Sequence, residues 1–168
     1  ADQTFSSLLL YLVTQDANVT LTDFVVREYD APRTGTNYSP AYTGAFGGAT
    51  VVDNVYHFPT GAEAWAGFSN ENAEIYPLSF PNGGRVTFTG ATAGTDVDLN
   101  FKFEFNPHPD TEPSFSTSNV TVSGTEATEY SIEIPAQDAA NTFSSALLFL
   151  VTQDANVTLT NFVIVSYE

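Results

Sequence analysis

Seven residues in the middle of the chain have the chemistry for holding a sugar: Tyr56, His57, Trp65, Asn70, Tyr76, Lys102 and Glu104. Aromatic rings cover the apolar C–H faces of sugar rings, while amide and charged groups beside them meet the hydroxyls. The densest stretch runs from Val55-Tyr56-His57-Phe58-Pro59 through Trp65 to Ser69-Asn70-Glu71-Asn72 and Tyr76. The sole tryptophan stands in Ala64-Trp65-Ala66-Gly67, between small residues that leave its ring accessible. The competing assignment puts Trp65 and Phe68 in the core, the commoner fate of a single tryptophan in a sandwich. Asp98, Asn100, Lys102 and Glu104 recur every second residue, so on a strand they share one face. That row suits either a concave polar binding face or a plain solvated surface.

Calcium is the second candidate chemistry. Asp and Asn gather in Gln153-Asp154-Ala155-Asn156 and in Pro107-His108-Pro109-Asp110-Thr111-Glu112, and Asp154, Asn161 and Asp110 are the candidate ligands for a structural Ca²⁺. Such ions take oxygen donors, and an acidic chain gains from the offset charge. No twelve-residue EF-hand pattern is present. Asn18, Asn119 and Asn156 open Asn-x-Thr sequons, which matter only in a glycosylating host.

Signatures of catalysis are missing. The chain contains no Gly-x-Ser-x-Gly elbow, no His-Glu-x-x-His, no phosphate loop and no dinucleotide glycine fingerprint. His57 and His108 are too few for a three-histidine metal site. Acid pairs of the glycosidase kind arise by chance among so many carboxylates. The expectation is a binding protein and not an enzyme. Twenty acidic against four basic residues give a formal charge of −16. This repels nucleic acid and anionic membrane. The same acidity, with no cysteine, fits a secreted or cell-surface protein. No run of roughly 18 apolar residues occurs, so no helical membrane span is expected. Methionine is absent even at position 1 and no secretory signal precedes Ala1, which suits a processed chain or an excised piece.

The elements that must position these residues are strands. Short alternating segments are bounded by Gly, Pro, Asn and Asp, the pattern of an all-β sandwich. Val97, Leu99, Phe101, Phe103 and Phe105 share a face opposite the polar row. Arg85 to Thr89, Val120 to Val122 and Tyr130 to Ile134 alternate likewise. Ala31 to Gly48, rich in Gly, Pro and Thr, reads as a linker or long loop.

One segment occurs twice. Thr142 to Glu168 repeats Thr4 to Asp30 at a constant displacement of 138 positions, with 20 of 27 pairs identical. The expected organisation is therefore residues 1–30 as the tail of a preceding repeat, duplicated at 139–168, and 31–168 as one complete module. Each copy divides into two strands, and the first is apolar on both faces. Leu147, Phe149 and Val151 oppose Ala146, Leu148 and Leu150. A half-exposed strand should not read so, and the second face must meet something. In the N-terminal copy, Leu8, Leu10 and Leu12 oppose Leu9, Tyr11 and Val13. This sustains an alternative in which Leu8, Leu10, Tyr11, Leu12 and Val13 add a strand to a neighbouring unit of an adhesin or filament.

From about Gly47 to Val165 the chain resembles secreted bacterial carbohydrate-binding modules of the jelly-roll, family-four-like type, as appended to marine β-glucanases. The residues behind this are Gly61-Ala-Glu-Ala-Trp-Ala-Gly67, Ile75-Tyr-Pro-Leu-Ser-Phe80, Phe101-Lys-Phe-Glu-Phe-Asn-Pro107 and Val157-Thr-Leu-Thr-Asn-Phe-Val-Ile164. The resemblance implies a jelly-roll sandwich of two antiparallel sheets, a structural Ca²⁺, and binding of a β-glucan such as laminarin through aromatics, Trp65 and Tyr76 among them. It also implies an attached catalytic domain as partner, whereas neighbouring repeat units are implied by the duplication. The duplicated tail departs from that pattern.

Overall fold

The computed structural model describes residues 33–168. The first copy of the repeat, with Leu8, Leu10, Tyr11, Leu12 and Val13, lies outside the described residues. Twelve strands follow in order. They begin with β1 (Gly35–Tyr38), β2 (Gly44–Phe46), β3 (Thr50–Val52), β4 (Val55–His57) and β5 (Gly67–Ser69). A single 3₁₀ turn, Ala73–Ile75, leads to β6 (Gly84–Thr92), β7 (Val97–Glu104), β8 (Ser114–Ser116) and β9 (Val120–Val122). The last three are β10 (Thr128–Ile134), β11 (Ser145–Leu150) and β12 (Asn156–Tyr167).

The strands form two antiparallel sheets face to face, the expected jelly-roll sandwich. The first has the order β10-β6-β12-β4-β3, with β1 also on β12. The second has the order β2-β5-β11-β7-β8, with β9 also on β7. The C-terminal copy of the repeat thus supplies an interior strand to each sheet. β11 pairs with β5 and β7, and β12 pairs with β6, β4 and β1.

Alternation decides which side chains meet between the sheets. Val97, Leu99, Phe101 and Phe103 of β7 are buried, as are Ala146, Leu148 and Leu150 of β11. Val86 and Phe88 face them from β6, and Val157, Leu159 and Ile164 from β12. On β12 the period breaks. Asn161 takes a left-handed backbone (φ 54°), the register shifts between Thr160 and Val163, and Asn161 Nδ2 donates to Thr89 Oγ1 at 3.2 Å. This one-residue bulge flips the phase. Phe162 and Ile164, not Asn161, then turn inward, and Phe162 meets the ring of Tyr42 at 5.1 Å between centroids.

Two sequence expectations change here. Residues 33–48 are not simply a linker, because β1 and β2 lie within them, one in each sheet. They are short and Gly/Thr-rich because they run along sheet margins, where little side-chain burial is required. Phe105 does not continue the apolar face of Val97 to Phe103. β7 ends at Glu104, and the Phe105 N–H donates to the carbonyls of Thr111 and Pro113 in the following loop.

Leu148 is fully buried at the centre of the second sheet. Leu148→Ala is expected to cost about 2–5 kcal/mol, seen as a lower urea midpoint by far-UV circular dichroism. Tyr42 and Tyr56 carry core hydroxyls, and burial pushes Tyr56 up to about 12 and Tyr42 well above 10.0. Both phenols hold their protons more tightly folded than unfolded, so stability is intact below the unfolded value near 10.0 and lost as pH climbs towards about 12. Tyr56→Phe should flatten that fall, measured by denaturation at stepped alkaline pH.

Candidate binding site

A groove of about 800 Å³ runs over the outer face of the second sheet. Its apolar lining comes from Phe46 of β2, Trp65 of the β4–β5 loop, Leu147 and Phe149 of β11, and Tyr76 after the 3₁₀ turn. Its polar lining includes Lys102 and Glu104 of β7, Asn70 after β5, and His108 and Thr111 of the β7–β8 loop.

Trp65 is 60% exposed, so the core assignment does not hold for it. Its ring lies nearly parallel to that of Phe46, at 13° and 6.2 Å between centroids. Phe149 meets Phe46 edge-on at 6.0 Å. Two glycines make this packing possible. A Cβ on Gly47, whose φ is +67°, would come within 3.0 Å of the Trp65 ring and 2.7 Å of the Ala66 Cα. A Cβ on Gly67 would come within 2.8 Å of the Phe149 ring. The loop carrying Trp65 is tied back by Glu63 N–H donating to the Gly47 carbonyl at 2.8 Å and Ala66 N–H donating to the Glu63 carbonyl at 2.8 Å.

The polar lining divides by what remains free. Asn70 is fully engaged. Its Oδ1 accepts from the N–H groups of Ala41 (2.7 Å) and Asn72 (3.1 Å), and its Nδ2 donates to Asn72 O (2.9 Å) and Tyr76 Oη (3.0 Å). That uses the whole capacity of an amide whose oxygen takes two bonds. Asn70 therefore positions its neighbours and has nothing left for a ligand. Tyr76 Oη also accepts from Ala146 N–H at 2.9 Å. Burial raises its pKa, partly countered by those two donors. With both acceptor positions occupied, the Tyr76 O–H proton is the group left to donate outward. Lys102 Nζ lies 2.7 Å from Glu104 Oε1, and Glu104 Oε2 accepts from Ser145 Oγ at 3.2 Å.

Five of the seven sequence candidates thus converge: Trp65, Asn70, Tyr76, Lys102 and Glu104. Tyr56 and His57 do not, because β4 belongs to the other sheet. Tyr56 is 2% exposed, packed at 4.9 Å on the Phe68 ring, and is a core residue. His57 pairs with Asn156 and Thr50 on that sheet. Sequence reasoning missed Phe46, Phe149 and Leu147 as site residues. The signal was present, since the apolar outer face of β11 is the groove floor.

The candidate calcium ligands occupy three different elements. Asp154 sits in the β11–β12 turn with φ 58°, accepting from the Thr60 N–H at 2.7 Å and from the Thr60 hydroxyl. Those bonds, the hydroxyl's first, lower its pKa. Asn161 forms the bulge seven positions on, roughly 20 Å along an extended strand. Asp110 lies in the β7–β8 loop, accepting from Asn106 Nδ2 at 3.3 Å. These three do not make a common ligand set, and no group of three or more His, Asp or Glu side chains suited to a metal occurs among the described residues.

No protein-family model and no curated protein sequence matches the chain. Among solved structures it is similar to the CBM22-1 xylan-binding domain of Paenibacillus barcinonensis Xyn10C, with TM-score 0.52 and 18% identity, covering 82% of this chain and 99% of that one. It is similar also to a mutant of a family 29 carbohydrate-binding module (TM-score 0.51, 13% identity, 80% of this chain and 94% of that one). A third is the Clostridium thermocellum xylanase 10B fragment with CBM22-1 and GH10 modules complexed with xylohexaose. There the TM-score is 0.50 at 13% identity, over 81% of this chain and 29% of that one. The chain therefore has the β-sandwich fold of carbohydrate-binding modules.

Asn70→Ala removes four hydrogen bonds that fix Ala41, Asn72 and Tyr76. It should lower stability by roughly 2 kcal/mol, measured by urea denaturation, and Asn70→Asp should recover only part.

Proposed function

We propose that the chain binds polysaccharide without catalysis in the groove over β2, β5, β11 and β7. The observation that carries this reading is the Trp65 ring, 60% exposed and aligned with Phe46 above a floor of Phe149 and Leu147. An exposed indole on an apolar floor costs solvation unless a ligand covers it, and the C–H face of a pyranose fits. Tyr76 O–H and the remaining Lys102 protons then meet ring hydroxyls. The fold shared with a xylan-binding domain and a family 29 module supports the assignment.

The finer reading is a β-linked glucan such as laminarin, from the family resemblance. Xylan enters because proteins of this fold are named for it. The module would act outside the cell, holding an attached enzyme or cell against the glycan, with residues 1–30 as the tail of a preceding repeat. Calcium belongs to this reading as a stabilising ion without assigned ligands. A fall in melting temperature on EDTA treatment, reversed by calcium, is its measure. The rival reading, a filament unit joined by strand addition, rests on the duplicated segment. Against it, the outer face of β11 already has a use as groove floor, and β11 and β12 both have partners on either side.

Titration with laminarin, xylan and glucomannan should give a saturable change in Trp65 fluorescence for at least one polymer. Trp65→Ala should weaken that binding by about tenfold or more, read by calorimetry, with an unchanged circular dichroism spectrum. No response to any of them, together with large regular assemblies in light scattering, would sink the binding reading in favour of the filament.

A further inference from the structure

The only lysine of the chain, Lys102, lies in the groove with its charge already answered. Its Nζ is 2.7 Å from Glu104 Oε1, while the lysine side chain stays 32% exposed. The carboxylate is held from behind by Ser145 Oγ and is itself buried. Positions 102 and 104 share the outer face of β7, so the strand itself fixes the pair side by side. Of the other cations among the described residues, Arg33 stands over the Tyr167 ring at 5.0 Å, and Arg85 lies on β6 of the opposite sheet. Neither lines the groove. The groove thus offers ammonium hydrogens but no net positive charge, on a molecule with a formal charge of −16.

We propose that Glu104 sets charge selectivity in this groove: by cancelling Lys102 it admits uncharged glycan chains and rejects uronate or sulfated ones. This deepens the polysaccharide-binding reading and rests on it. A glycan carboxylate approaching Lys102 would have to displace Glu104 or share the cation with it. Displacement would strand a buried carboxylate without its partner, and sharing would bring two like charges together. Neutral hydroxyls face neither cost and use the spare ammonium hydrogens. Selection by an unfavourable contact against the wrong ligand follows. Glu104→Gln keeps the shape and the strand, and leaves Lys102 free to make a charge-assisted bond to an anionic chain.

The test takes whichever neutral polymer binds best and compares its hydroxyethyl and carboxymethyl derivatives at equal substitution, so that bulk is matched and only charge differs. Binding is measured by calorimetry at pH 8, above the ordinary imidazole range. The native protein should bind the carboxymethyl form about tenfold or more weakly than the hydroxyethyl form at low salt, with the gap shrinking in salt. Glu104→Gln should close the gap to about threefold or less, and Lys102→Met, which leaves the carboxylate alone, should widen it. Equal binding of the two derivatives by the native protein, or a gap that neither variant moves, overturns the selectivity role and leaves glycan binding standing. Failure of every neutral polymer to bind overturns both.

Discussion

Two strands that follow one another in the chain occupy interior positions in different sheets, and the sandwich depends on that arrangement. β11 presses Ala146, Leu148 and Leu150 inward while β12 presses Val157, Leu159 and Ile164 towards them from the other side. The turn between them, with Asp154 held by Thr60, therefore spans from one sheet to the other. Every other strand is added to one side of this pair or beyond it. β1 to β3 run along the margins and carry few core side chains, which is why their sequence looks like loop.

The same arrangement gives the groove its chemistry. A strand central to a sheet and covered on one face leaves its other face to solvent or to a ligand. On β11 that other face is Leu147 and Phe149, half-buried and lining the groove. Phe46 and Trp65 extend the apolar floor sideways across β2 and the loop before β5. β7 contributes the polar counterpart through the alternation of Lys102 and Glu104. Groove and core are thus opposite faces of the same two strands, so mutations that disturb the inward residues of β7 or β11 also displace the outward ones.

Local hydrogen bonding separates residues that keep a group free from residues whose groups are all used within the protein. Asn70 and Tyr76 are similar in sequence terms, two polar groups near an aromatic cluster. Asn70 has all four of its bonds inside the protein, whereas Tyr76 accepts two and retains its own proton. Asn161 and Asp154 look like metal ligands in a list of oxygen donors. In the fold, both adopt left-handed backbones at a bulge and a turn, which explains why short polar side chains stand there.

The amino-acid order alone determined the all-β class, the positions of β6, β7, β9, β10, β11 and β12, and the inward face of β7, because period-two burial is written directly in the chain. It also marked Trp65, Tyr76, Lys102 and Glu104, since small neighbours and alternating charge are local features. Only the tertiary structure decided which sheet each strand joins. That choice sent Tyr56 to the core and His57 to the far sheet, and brought Phe46, Phe149 and Lys102 together from three strands. Pairing between strands distant in sequence is set by the packing of the whole core, and no local pattern encodes it. The two-faced β11 shows the boundary clearly: its sequence required a cover for the second face, and the fold made that face the floor of a groove.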